Sequence, residues 1–307
     1  MSEGTALELN ALIRLRATAR GLELGARRRV LSAQAGGYLS VYHGRGMEFD
    51  EVRAYQPGDD ARTIDWRVTA RRGRPHTKLF REERERPVMF LVDLHPGMYF
   101  GSRVQYKSVL AGRLSALLGW AAVRAGDRVG GIIQAAGRHR EIQPAARDSG
   151  LLPLLQAMIQ LQPAEPGNIV SGRMDRALAR MARIALPGSM IIILSDFREL
   201  GDNAEKYLSA MGQHNDVIAA LLYDPLEASP PPAGFYRLGI NQKRVSVDTS
   251  RASVIDYWQT QFQHHREKIR GLCLRHAIHM MEIATNDPMV PVLRAGLTRH
   301  GKGMQSI

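Results

Sequence analysis

The stretch that most constrains the fold runs from Pro87 to Lys107 and reads PVMFLVDLHPGMYFGSRVQYK. It opens with an apolar run that stops at Asp93, passes through the turn residues LHPG, and leads into a helical pattern. A short apolar run bounded by turn residues is typical of a strand buried on both faces. The pattern therefore predicts a central strand of an open α/β sheet. Asp93 is then at its carboxyl end, where such sheets hold their ligand sites.

The rest of the chain alternates strand-like apolar runs with helical patterns. The predicted strands are 129–134, 190–194, 217–222 and 279–284, and the predicted helices are 104–125, 151–161, 173–184, 202–212, 253–274 and 288–297. This order with short connections predicts an α/β fold, a doubly wound and mostly parallel sheet with helices on both faces. We expect two parts, a helical and β accessory segment at residues 1–86 and the sheet domain at residues 87–307.

Composition restricts the class of protein and its compartment. The single cysteine, Cys273, excludes an internal disulfide framework. No apolar stretch approaches the ~20 residues of a membrane span, and the N-terminus lacks a signal-peptide core, so we expect a cytoplasmic protein. The net charge of +12 suggests nucleic acid, an anionic membrane surface or an acidic protein as a partner. Because positive and negative residues alternate along the chain, a solvated surface is the favoured interpretation of this charge.

The segment from residue 51 to residue 85 interleaves arginines and aspartates around a Pro-Gly turn. One interpretation is an ion network that fastens the accessory segment to the sheet domain. The other is a docking face for an acidic partner, in which residues 71–74 form a concentrated basic turn. In either case we expect Trp66 to be an anchor under the charged layer. The candidate partner-binding residues are Arg53, Asp59, Asp60, Arg62, Asp65, Trp66, Arg71, Arg72 and Arg74.

A longer stretch carries a family resemblance. The sequence GRGMEFDEVRAYQPGDDARTIDWRVTARRGRPHTKLFREERERPVMFLVDLHPGMYFG resembles the signature of the bacterial domain-of-unknown-function family fifty-eight, and the match continues at GDRVG (126–130), LSDF (194–197) and DPLE (224–227). The resemblance implies a von Willebrand factor A-like domain and a MoxR-type AAA+ ATPase as its companion. It further implies an adaptor or chaperone-like role, and the family has no established enzymatic activity.

The resemblance also raises the question of a metal site. Domains of the A type usually hold Mg²⁺ through an Asp-x-Ser-x-Ser loop, a threonine and a later aspartate. Asp93 and Asp196 match the two carboxylates, but His95 and Gly97 stand at the serine positions. Mg²⁺ prefers oxygen ligands, whereas a histidine nitrogen suits a transition metal. We expect a degenerate site that requires no cofactor, in which the two carboxylates bond loop amides and helix N-termini. Binding of another divalent cation by Asp93, His95 and Asp196 is left open.

These observations lead to three functional hypotheses. The first is a non-enzymatic protein-interaction module that works with a MoxR-type AAA+ ATPase. The alternative is a protein that binds nucleic acid or an anionic surface through its positive charge. A weaker third is a hydrolase using Asp93, His95 and Ser102, but the sequence contains no nucleophile elbow, so we predict that the protein is not an enzyme.

Overall fold

A computed structural model of the protein describes residues 4–24, 47–56, 64–82, 86–162, 172–240 and 243–305. The chain forms two compact units, one made of Met1–Val30 with Arg86–Ile307 and the other of Leu31–Glu85. Of these N-terminal residues, the described Leu7, Leu12 and Leu22 pack in the same core as Val88 and Phe90. The division into domains between residues 86 and 87 itself stays a prediction.

The secondary-structure elements follow one another in a mostly alternating order. The strands are β1 (Met47–Ala54), β2 (His76–Glu82), β3 (Pro87–Leu94), β4 (Arg128–Ala135), β5 (Arg138–Ala146), β6 (Met190–Ser195), β7 (Asp216–Tyr223), β8 (Phe235–Ile240), β9 (Lys243–Asp248) and β10 (His279–Ala284). The helices are α1 (Leu9–Thr18), α2 (Trp66–Arg72), α3 (Lys107–Arg124), α4 (Asp148–Leu161), α5 (Arg173–Ile184), α6 (Ala204–His214), α7 (Pro225–Ala228), α8 (Ala252–Arg275) and α9 (Met289–Gln305).

Six strands of the larger unit form one sheet in the order β10-β7-β6-β3-β4-β5. All neighbouring pairs are parallel except β4 and β5, which are antiparallel. Numbered within the sheet, this is the doubly wound order 3-2-1-4-5-6, and the direction of winding reverses between β3 and β6. The predicted α/β fold with a mostly parallel sheet is confirmed. The carboxyl ends of β3 and β6 flank the crevice where such sheets bind ligands.

Apolar residues of β3 alternate between two cores, one on each face of the sheet. Val88, Phe90 and Val92 pack in the core that also contains buried residues of α1, α3, α4 and α9. Met89 and Leu91 pack in the other core, with buried residues of α5, α6 and α8. Because successive side chains of a strand point to opposite faces, the continuous apolar run of β3 is explained by helices on both sides.

The smaller unit contains an antiparallel pair, β1 with β2, and the short helix α2. Asp65 begins α2 by accepting hydrogen bonds from two backbone amides, and Gly73 ends it in the left-handed conformation (φ +67°). The prediction that Trp66 is an anchor under a charged layer is wrong, since Trp66 is 70% exposed. The reason is that the seven residues of α2 bury no side chain. Asp59, Asp60 and Arg62 lie outside the described residues.

In the described ranges, every helix is too short or too polar to cross a bilayer.

Candidate functional site

The three predicted metal ligands meet at the carboxyl edge of the sheet, where the winding reverses. Asp93 lies at the end of β3 and Asp196 directly after β6, and both are buried. Nε2 of His95 lies 2.8 Å from Oδ1 of Asp196 and 4.0 Å from Oδ2 of Asp93. The Gly97 amide donates a hydrogen bond of 3.0 Å to Nδ1 of His95. Because Nδ1 accepts a hydrogen bond from this amide, the ring carries its proton on Nε2, and Nε2 donates a hydrogen bond to Asp196.

A buried ammonium group, which the sequence analysis did not single out, completes the surroundings of Asp196. Lys107 is the first residue of α3, and its Nζ lies 2.7 Å from Oδ2 of Asp196 and 2.9 Å from Oε1 of Glu227. Burial acts to lower the pKa of Lys107, but the charges of the two carboxylates raise it above its ordinary value. Burial likewise acts to raise the pKa of Asp196, but Lys107 and His95 hold it far below its usual range. Both partners are therefore charged.

Asp93 faces a second fixed cation. Its Oδ2 accepts a hydrogen bond of 2.8 Å from Oγ of Ser195, and its Oδ1 lies 3.6 Å from Nη2 of Arg173, at the start of α5. Arg173 is 1% exposed, and none of its guanidinium nitrogens has a hydrogen-bond partner within the described part of the chain. Burial raises the pKa of Asp93, and His95 and Arg173 oppose this effect only in part.

The donor atoms at this edge do not fit a magnesium ion. Both ring nitrogens of His95 are engaged, and the ammonium of Lys107 already neutralises Asp196. A Cβ atom at Gly97 would lie 2.5 Å from Cε1 of His95, so this backbone has no room for a serine while the imidazole holds its position. Among the residues that the structure describes, no group of three or more His, Cys, Asp or Glu side chains is placed to hold a metal ion.

The same contacts bear on the hydrolase hypothesis. With its Nε2 proton directed at Asp196 and its Nδ1 bonded to Gly97, His95 has no ring nitrogen free to accept a proton from a serine. The backbone of Ser102 is instead bound by Asp224, whose Oδ2 accepts from the Ser102 amide at 2.9 Å. The arrangement does not have the geometry of a nucleophile with its base.

Asp224 fixes the loop between β3 and α3. It follows β7, accepts from the hydroxyl of Thr285 at 2.6 Å, and begins α7 by accepting from the Leu226 amide at 3.0 Å. Burial acts to raise its pKa, but the bonds from Ser102 and Thr285 lower it, so the carboxylate is charged. On this loop, Phe100 is 42% exposed and Val104 is 56% exposed. A firmly held loop thus presents apolar side chains to solvent.

In the smaller unit, α2 and its final turn bring four predicted partner-binding residues together. Trp66 opens the helix, Arg71 and Arg72 end it, and Arg74 follows the Gly73 turn, all exposed. Two further candidates also lie in this unit. Asp65 accepts from the amides of Arg67 and Val68, while Arg53 of β1 is half-buried and donates to the Ala54 carbonyl.

Four residues of the site were not predicted from the sequence: Lys107, Arg173, Asp224 and Glu227. One signal was present for the first of them. Lys107 opens a mostly apolar helix, at the end where the helix dipole disfavours a cation. Such a lysine needs nearby carboxylates, and Asp196 and Glu227 supply them.

Solved structures similar to the chain include two that overlap with most of it. In structure it is similar to the conserved hypothetical protein BatB from Bacteroides thetaiotaomicron, at 16% identity and a TM-score of 0.43, over 71% of this chain and 99% of that chain. It is also similar to a von Willebrand factor type A protein from Catenulispora acidiphila, at 12% identity and a TM-score of 0.38, over 75% of this chain and 44% of that chain.

In sequence the chain is 31% identical over 222 residues to the Uncharacterized protein Rv1480 of Mycobacterium tuberculosis, spanning 72% of this chain and 69% of that protein. The model of the family described as Protein of unknown function DUF58 matches residues 51–268. This match confirms the resemblance seen in the sequence. The chain therefore belongs to the DUF58 family.

Proposed function

We propose that the protein is a non-enzymatic interaction module that docks a partner protein at the carboxyl edge of its sheet and needs no metal ion to do so. The observation that carries the proposal is the exposure of Phe100 and Val104 on the loop that Asp224 holds. Apolar side chains on a fixed loop lose little conformational entropy on binding, and this favours their use as contact residues. Arg103, which precedes Val104 in the chain, and Arg198, whose Nη2 lies 3.3 Å from Oε1 of Glu227, are exposed cations of the kind enriched at interfaces.

The buried charges support a metal-independent site. In a metal-dependent A-type domain, the ion links the domain to a carboxylate of the partner. Here the ammonium of Lys107 and the guanidinium of Arg173 provide positive charge from within the chain. Docking then relies on apolar contacts of Phe100 and Val104, while the buried ion pairs of Lys107 and Arg173 stabilise the conformation of the carboxyl edge.

The α2 face is a second docking element in this proposal. Trp66, Arg71, Arg72 and Arg74 combine an exposed indole with guanidinium groups, which pair in a bidentate manner with carboxylates. As the partner we propose a MoxR-type AAA+ ATPase, the companion implied by the family resemblance, with this chain as its adaptor. The carboxyl edge of the sheet and the α2 face are each proposed as docking surfaces from their own exposed residues.

The test is a binding measurement between this protein and a purified MoxR-type ATPase from the same genome, by biolayer interferometry. We expect Phe100→Ser and Val104→Ser each to weaken binding by about tenfold and to leave the unfolding midpoint unchanged. Leu274→Ser is the matched control, since Leu274 is also an exposed apolar residue (74%) but lies near the end of α8. Trp66→Ala tests the α2 face in the same assay.

Two results would overturn the proposal. One is equal binding by the wild type, Phe100→Ser and Val104→Ser. The other is the absence of ATPase binding together with tight, strongly salt-dependent binding to double-stranded DNA, which would favour the alternative function.

A further inference from the structure

A groove of about 890 Å³ lies where α1, the carboxyl end of α3 and the start of α4 meet. Five of the described residues that line it are arginines, and one is an aspartate. The arginines come from separate parts of the chain: Arg14, Arg16, Arg20, Arg124 and Arg147. All five are exposed. The lining thus carries a strong excess of positive charge.

Contacts between the elements hold this lining in place. The guanidinium of Arg16 stacks over the ring of Trp120 at 4.8 Å from its centroid and lies 3.3 Å from Oδ2 of Asp148. Arg124 donates to the Arg20 carbonyl at 2.7 Å and also to the Leu22 carbonyl. The indole of Trp120 donates to the Leu12 carbonyl at 3.1 Å. The groove is therefore a built feature and not a chance gathering of mobile side chains.

Arg147 occupies a strained position at the rim. Its backbone has φ +58° and ψ −149°, a region that only glycine enters freely. Such strain destabilises the folded chain and is concentrated at functional sites. A glycine would relieve the strain here, so the fold alone gives no reason for an arginine at this position.

We propose that this groove binds an acidic, partly apolar peptide segment of a partner protein. The guanidinium groups of the lining arginines would pair with glutamate or aspartate carboxylates. Ile13, Ala17 and Val123 would meet aliphatic side chains of the same segment. A nucleic-acid backbone fits this lining less well, because it tracks an extended positive surface, whereas here the arginines surround a concave, partly apolar groove that also contains Asp148.

This site is separate from the carboxyl edge of the sheet. The helix α3 has 18 residues, with Lys107 at one end and Arg124 at the other. At 1.5 Å per residue, about 27 Å separates the two ends. The groove proposal therefore does not depend on the docking edge, and either one can fail alone.

The experiment measures fluorescence anisotropy of a labelled peptide of alternating glutamate and leucine, with the glutamine–leucine peptide as the neutral control. We expect the acidic peptide to bind the full-length protein and the neutral peptide to bind at least about tenfold more weakly. Arg20→Gln should weaken binding by about fivefold. Arg183→Gln, an exposed arginine in the last turn of α5, is the matched control and should change nothing.

Arg147→Gly separates binding from folding. We expect this variant to unfold at a higher temperature than the wild type, because the strain is relieved, and to bind the acidic peptide about fivefold more weakly. The proposal is overturned if Arg20→Gln and Arg183→Gln bind the peptide equally, or if DNA or phosphatidylserine vesicles bind and the acidic peptide does not.

Discussion

The Nζ atom of Lys107 lies 2.7 Å from Oδ2 of Asp196, and both groups are buried. These residues are 89 positions apart in the chain. They meet because α3 starts at the carboxyl edge of the sheet, beside the end of β6. The pair places a positive charge supplied by the chain beside a carboxylate that the family resemblance aligns with a metal ligand.

Removal of the ammonium should destabilise the fold. Lys107→Met replaces the lysine by an unbranched apolar side chain. It leaves Asp196 and Glu227 without the cation that both contact. Breaking a buried ion pair on one side costs about 3–5 kcal/mol, and we expect a loss of this size in the free energy of unfolding in urea at neutral pH. Lys206→Met, an exposed lysine of α6, should change it by less than about 0.5 kcal/mol. A loss below about 1 kcal/mol for Lys107→Met would contradict a strong pair.

The cost of Lys107→Met should decrease as the pH falls. In the wild type the pKa of Asp196 is depressed, so its contribution to stability is present above the ordinary aspartate pKa and is lost as the pH falls below it. In the variant, burial without the ammonium raises the pKa of Asp196, and protonation then relieves an unpaired buried charge. The difference in unfolding free energy should therefore shrink between about pH 7 and about pH 4. A constant difference across this range would show that lost packing, and not charge, is the cause.

Asp93 and Arg173 should be energetically coupled. Their atoms Oδ1 and Nη2 are 3.6 Å apart, and both residues are buried. Asp93→Asn leaves the buried guanidinium of Arg173 without the carboxylate beside it, and Arg173→Met removes a cation that opposes the burial-raised pKa of Asp93. The double variant removes both groups. We expect a coupling of about 1–3 kcal/mol in a double-mutant cycle of urea unfolding. Arg173→Met combined with Asp248→Asn, on the hairpin strand β9, should be additive. Additivity of the Asp93 and Arg173 variants would refute the coupling.

The loop that carries Phe100 and Val104 should loosen when Asp224 loses a partner. Thr285→Val removes the hydroxyl that donates to Asp224 at 2.6 Å. We expect a loss of about 1–2 kcal/mol of stability and faster hydrogen–deuterium exchange at the Ser102 amide, which donates to the same carboxylate oxygen. Thr298→Val, which removes an exposed hydroxyl bonded within α9, should leave that amide unchanged. Unchanged exchange in Thr285→Val would mean that Asp224 does not depend on this bond to hold the loop.

Much of the fold was predictable because the apolar periods are clear. The structure contains α5 at Arg173–Ile184 and β10 at His279–Ala284, with the predicted bounds. The helix α2 was not predicted, because three of its seven residues are arginines and it buries no side chain, so no apolar period marks it. The Asp65 cap and the left-handed Gly73 define that helix, and these signals are local and short.

The candidate site was only half predictable. Asp93 and Asp196 stand at strand ends, and parallel strands bring their carboxyl ends to one edge, so their proximity follows from the sequence pattern. The pairing of Asp196 with Lys107 depends on how α3 packs on the sheet. The position of Arg173 beside Asp93 likewise depends on where α5 starts. Such long-range contacts have no periodic signature in one sequence.

The most direct test of the central claim is isothermal titration of the wild-type protein with Mg²⁺, Mn²⁺ and Zn²⁺. Because the ammonium of Lys107 already pairs with Asp196, and both nitrogens of His95 are engaged, we predict no binding heat at millimolar Mg²⁺ and no shift in the unfolding midpoint. Binding of Mg²⁺ at sub-millimolar concentration that is lost in Asp93→Ala would contradict the account.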